Sequence, residues 1–134
     1  MLSISITEDP VTFKKSYNML KAQVIAAENI LDRYDALVAL KDFSYQKKKG
    51  LLFEIFNAEE FYLLKTEVIS QLEKKDVELL IADFTDKHKS QNDVKVKNDL
   101  LNKLEVSEQT IDFFIKALED LSYRNKTLAY KKLV

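Results

Sequence analysis

From Phe13 onward, Tyr17, Leu20, Val24, Ala27, Leu31, Tyr34 and Val38 follow at alternating spacings of four and three, the seam of a heptad repeat. Met19, Ala26, Ile30, Leu37 and Leu40 widen that seam into a stripe broad enough to face two neighbouring helices. Asp9-Pro10 supplies a cap and a fixed first-turn angle ahead of it. The pattern predicts one long amphipathic helix over 10–43, about 50 Å long at a rise of about 1.5 Å per residue. Its seam is expected to bury within the chain, with a dimeric coiled coil as the alternative.

Beyond Ser44, the segment Tyr45 to Gly50 reads as a turn, and Leu51, Leu52, Ile55 and Phe56 open a second helical stretch over 51–75. Asn57 and Glu60 have the spacing of a capping box, so a break is expected near 57, after which Phe61, Leu64, Val68 and Leu72 carry the apolar face onward. Asp76 is placed to cap a helix over 76–88 with the stripe Val77, Leu80, Ile81 and Phe84. The polar run around Ser90 to Asp93 predicts a loop over 89–97. A short helix is expected over 98–105. Ser107 caps another over 107–124, with a tail to 134, whose stripe is Ile111, Phe114, Ile115, Leu118 and Leu121. Leu2, Ile4 and Ile6 alternate with polar residues and predict an extended arm over 1–8, suited to lying on the bundle or adding a strand to a partner.

Composition sharpens this into a fold class. One Gly and one Pro in 134 residues leave almost nothing for hairpins or tight turns, which points to an all-α, single-domain bundle of about five helices. With no cysteine there is no disulfide, thiolate nucleophile or cysteine metal site. Charge interrupts every apolar run before it could span a membrane, and the first seven residues lack the pattern of a signal peptide, so a cytoplasmic location is expected. The 21 basic residues include only two arginines, Arg33 and Arg124, a usage that suggests an AT-rich genome.

Candidate chemistry is sparse. His88 is the only histidine, at the end of the 77–84 stripe, and no phosphate loop, nucleophile elbow or paired-histidine motif can be written from this chain. The expectation is a protein without catalytic, cofactor-binding or metal-binding residues. Glu28, Asp32 and Asp35 share a helical face but have no matching carboxylate helix, which makes them a solvated surface.

Binding is the stronger reading. The run Phe61-Tyr62-Leu63-Leu64 cannot turn every side chain to one core, and it sits in a segment, Leu51 to Asp86, carrying nine carboxylates against Lys65, Lys74 and Lys75. Phe61, Tyr62, Glu59, Glu60 and Glu67 are therefore the candidate contacts for another protein, with a second copy of the chain as the alternative partner.

Residues 100–118 resemble the generic helix-turn-helix pattern, with Ser107 opening a reading helix in which Gln109, Thr110 and Lys116 would meet nucleic acid. Glu105 in place of the usual turn glycine, together with Glu108 and Asp112, works against that use. Lys47, Lys48 and Lys49, and the basic tail around Arg124 and Lys131, are further candidates for phosphate contact, with Tyr45 and Tyr123 as stacking groups.

The function expected is that of a non-enzymatic helical interaction protein. A helix-turn-helix DNA-binding regulator is the first alternative. The second is an inhibitor of a host nucleic-acid-processing complex, of the kind a phage or mobile element carries, its acidic face acting as a decoy.

Overall fold

Asn29 interrupts the heptad. In the computed structural model, which describes residues 10–84 and 91–134, the first helix, α1, ends at Ala26 and the second, α2, begins at Ile30. Asn29 adopts an extended backbone, φ −79° and ψ 125°, and its side chain accepts the Leu31 N–H at 2.7 Å, an N-cap that starts a new helix where the seam predicts a continuous one. Asp32 in the first turn adds a carboxylate at the helix's positive end. The expected helix over 10–43 is therefore two helices, Pro10–Ala26 and Ile30–Ala39, the latter tightened into a 3₁₀ turn over Leu40–Asp42.

Every regular element among the described residues is helical, so the protein is all-α. After the 3₁₀ turn come α3 (Tyr45–Ala58), α4 (Tyr62–Gln71), α5 (Lys74–Val77) with a 3₁₀ continuation Glu78–Phe84, α6 (Gln91–Lys103), α7 (Ile111–Ala117) and α8 (Tyr123–Leu133). Among the described residues these are eight α-helices where about five were expected. The contacts group them into two compact units, Met1–Gln71 and Leu72–Val134.

Several boundaries move for local reasons. Tyr45 to Gly50, expected as a turn, is the opening of α3, because Gly50 sits at an ordinary helical angle on the exposed side. Asn57 lies inside α3 instead of capping the next helix. The chain leaves α3 at Glu59, whose carboxylate Oε1 accepts the N–H groups of Glu60 at 3.2 Å and Phe61 at 3.4 Å. Asp76 falls inside α5, which Glu73 precedes as the capping position. Residues 91–97 of the expected loop already belong to α6. The helix expected over 107–124 is cut to Ile111–Ala117, and a break at Asp120 to Ser122 lets Ser122 cap α8 by accepting the Asn125 N–H at 3.3 Å. The arm over 1–8 and His88 lie outside the described residues.

In the first unit, α1 packs on α2 and α3, and α4 packs on α2 and α3. Leu37, Leu40, Leu52, Phe56, Leu64 and Val68 are fully enclosed, each burial contributing about 1.5–3 kcal/mol. The break at Asn29 rotates the stripe, so Ala36, Leu37 and Leu40 are buried while Leu31 of the expected seam is 67% exposed and Met19 of α1 74% exposed. Tyr17 still turns inward, edge-on to Phe43 at 5.9 Å, and burial followed by the nearby Glu54 charge raises its phenol pKa.

The second unit packs α8 against both α6 and α7, around the enclosed Leu100, Leu101, Leu104 and Phe114. No helix among the described residues is long and apolar enough to cross a membrane.

Candidate functional site

Two polar hubs account for most of the buried charge in the first unit, and both hold helix ends. Arg33 meets Glu59 through Nε to Oε2 at 3.2 Å and Nη2 to Oε1 at 3.4 Å, while its Nη1 donates to the Ala27 and Glu28 carbonyls at 2.9 and 3.2 Å. Those carbonyls are released by the break after α1, and Glu59 in turn holds the N–H groups that precede α4. The guanidinium also lies 5.9 Å from the Phe61 ring centre, within cation–π range.

Lys48 anchors the other hub. The residue is 6% exposed, and its ammonium donates to the Leu40 carbonyl at 3.0 Å and Gln71 Oε1 at 3.1 Å. Gln71 Nε2 passes the network to the Leu37 carbonyl at 2.9 Å and Glu67 Oε2 at 2.8 Å, and Glu67 also pairs with Lys41 at 3.5 Å. Burial lowers the Lys48 pKa, opposed by the charges of Glu67 and Asp42. This network adds a second donor to the Leu37 and Leu40 carbonyls at the end of α2, which also accept the Leu40 and Phe43 N–H groups.

These hubs redistribute the sequence candidates. Glu59 and Glu67 are committed to internal partners, Glu60 and Phe61 remain exposed, and Tyr62 is half-buried. Lys48 is taken into the interior between an exposed Lys47 and a half-buried Lys49, so the three do not form one basic surface. Glu28 falls in the break between α1 and α2, which removes it from the helical face of Asp32 and Asp35. Among the described residues no cluster of three or more His, Asp or Glu side chains is placed to hold a metal ion.

In the second unit, residues 100–118 depart from the helix-turn-helix spacing. α6 ends at Lys103 and α7 starts at Ile111, so seven residues, 104–110, separate them. Thr110 is fully buried: its hydroxyl donates to the Glu105 carbonyl at 2.6 Å and accepts the Ser107 N–H at 2.8 Å. That side chain fastens the connection and is out of reach of a nucleic acid, contrary to the expectation placed on it. Gln109 and Lys116 are exposed, the former in the turn ahead of α7 and the latter on the helix itself.

Of the expected α7 stripe only Phe114 is buried. Phe113, Phe114 and Ala117 face inward, the two rings edge-on at 6.1 Å, while Ile111, Ile115 and Leu118 stand exposed and Leu121 beyond them is 93% exposed. Enclosing Phe113 and Phe114 buries two large apolar rings, and the aliphatic residues on the other side of the helix are left outside. The exposed carboxylates of Glu108, Asp112 and Glu119 border this stripe, with Lys116 as the one cation of α7. Phe113-Phe114 was the signal in the sequence that could have placed this face outward.

A shallow groove of about 500 Å³ runs along α6 and α8. Asn98 and Asn102 line it from α6, and Tyr123, Arg124, Thr127 and Lys131 from α8. Two side chains of α8 tie it to α6 and to the residues that follow. Buried Asn125 accepts from Asn98 Nδ2 at 3.0 Å and donates to the Val94 carbonyl at 3.3 Å, and Lys132 donates to the Asn102 and Leu104 carbonyls at 2.9 and 2.8 Å. At one end Lys97 grips Asp120 at 2.6 Å. Burial pushes the Asp120 carboxyl up, but hydrogen bonds from Lys97, the Ser122 N–H and Asn125, with the Lys97 charge, outweigh it and leave the pKa below its ordinary value.

The exposed apolar stripe of α7 and the cationic groove of α8 are thus surfaces of this unit whose side chains are left over from the fold. Set against protein-family models, curated proteins and solved structures, the chain matches none of them.

Proposed function

We propose that this chain is a non-enzymatic interaction protein that receives another protein on α7. The observation that carries the reading is the run Ile111, Ile115, Leu118 and Leu121, four aliphatic side chains exposed at spacings of four, three and three. Apolar side chains left in water at such spacing by a folded domain are what a docking surface presents. Its border of Glu108, Asp112 and Glu119 selects an apolar segment flanked by lysine or arginine. A second copy of this chain docked face to face would set that acidic border against itself, so a partner of opposite charge fits better.

The test compares the native chain with an Ile115→Lys, Leu118→Lys variant, both checked for equal helicity by circular dichroism. Affinity capture from the source cells with cross-linking is expected to recover a partner joined near α7, and to lose it with the variant. Equal recovery by both chains, or a native chain that sediments as a monomer and captures nothing, removes the proposal.

A further inference from the structure

We propose that the groove along α6 and α8 binds a nucleoside phosphate unit, with the base on Tyr123 and the phosphate held by Arg124 and Lys131. Of the residues that line it, two are cations and none is a carboxylate, in a chain whose 21 basic and 22 acidic residues nearly balance. Arg124, Thr127, Leu128 and Lys131 are spaced so that they share one side of α8, and Asn98 and Asn102 share one side of α6.

Arg124 is in the first turn of α8, where the helix dipole opposes a positive charge, and no acidic residue stands in that turn to offset it. Asp120, the nearest carboxylate in sequence, is already neutralised by Lys97 at 2.6 Å. Other cations of this unit are engaged: Lys74 pairs with Glu105, Lys75 with Glu73, Lys97 with Asp120, and Lys132 holds two carbonyls. Arg124 and Lys131 make no ion pair among the described residues, and neither Asn102 nor Thr127 makes a side-chain hydrogen bond there. An anion at this end would meet the N-terminus of an eleven-residue helix and an unpaired guanidinium together.

Tyr123 supplies the aromatic half. Its side chain lines the groove yet the residue is 82% exposed, an aromatic plane presented to solvent beside two cations, as in platforms that stack single-stranded bases. The volume is within the about 300–1,000 Å³ usual for small-molecule sites. The shared chemistry, a phosphate next to a flat ring, is offered by a free nucleotide and by a single strand.

Binding is to be measured on the full chain with two probes, a fluorescent deoxythymidine strand about ten nucleotides long and free deoxythymidine monophosphate. Tyr123→Ala is expected to weaken the bound probe at least about fivefold. Arg124→Ala and Lys131→Ala should each lower the slope of log affinity against log salt for the strand by about 0.7. Lys126→Ala removes the same charge from the same helix at a position that does not line the groove, and should leave the affinity within about twofold. Binding of the strand or of the mononucleotide with that ranking of variants supports the site and names its source. Binding of neither probe at millimolar concentration overturns it, as does a Lys126→Ala loss equal to that of Arg124→Ala.

Discussion

Arg33 and Glu59 meet through two parallel N–H to O contacts of 3.2 and 3.4 Å, and each also holds backbone groups that a helix end has released. Arg33 covers the carbonyls after α1 and Glu59 the N–H groups before α4, so one ion pair ties two breaks together. The side chains are only 15% and 11% exposed, which leaves the survivor of a single deletion poorly solvated. Glu59→Ala or Arg33→Ala should each destabilise the first unit by about 2 kcal/mol. In urea titrations the double variant should lose clearly less than the sum of the two, and simple additivity would remove the coupling claimed for the pair.

Gly50 offers the opposite sign. It lies in the interior of α3, and a Cβ built there meets no atom within 4 Å. Gly50→Ala should therefore stabilise the first unit by about 0.5–1 kcal/mol, since alanine restricts the unfolded chain and suits a helix. A lower urea midpoint would mean that this stretch needs the glycine for something other than helix geometry.

Thr110→Val keeps the shape of a buried side chain and removes its hydroxyl, leaving the Ser107 N–H and the Glu105 carbonyl without their partner. The expected loss is about 1–3 kcal/mol. Hydrogen exchange should show faster exchange at the Ser107 amide, and Thr110→Ser should restore most of the protection. Unchanged exchange in the valine variant would show that the connection over 104–110 is held by something else.

The pH dependence of the second unit should carry the mark of Asp120. Its pKa is lower in the folded chain than its usual 3.8, so the folded state binds that proton more weakly than the unfolded state does. The stabilisation is then fully present above 3.8 and is lost as pH falls through the lower folded value. Asp120→Asn should be less stable than the native chain at neutral pH, with the gap closing as the solution is taken below pH 3.8. A gap of constant size across that range would assign the loss to packing instead of to charge.

The parts of this fold legible in the sequence are those governed by neighbours along the chain. Leu64, Val68 and Leu72, or Leu100, Leu101 and Leu104, are buried as their spacing predicts, and Ser122 could be recognised as a cap only once the preceding helix was known to stop. Asn29 with Asp32 three residues on was a readable start signal inside the heptad, but an unbroken apolar seam is compatible with both one helix and two. The candidate contacts were less legible. Glu59, Glu67, Lys48 and Thr110 carry the polar chemistry expected of a surface, but Arg33, Lys41 and Gln71, distant in sequence, engage the first three, and Glu105 and Ser107 of its own connection engage Thr110.

The all-α class, in contrast, was determined by the sequence alone. A chain with one Gly and one Pro whose apolar residues recur at three and four has no local means of making hairpins, and every described element is a helix. Tertiary structure decided where those helices end and which of two apolar faces each one buries. Alternatives such as Phe113-Phe114 inward or Ile111-Ile115-Leu118 inward are nearly equal in local propensity, and packing against the rest of the unit selects the rings. That choice left the α7 stripe in water. The same packing enlisted Lys132 and Asn125 for structure and left Arg124 and Lys131 at the groove without ion-pair partners among the described residues.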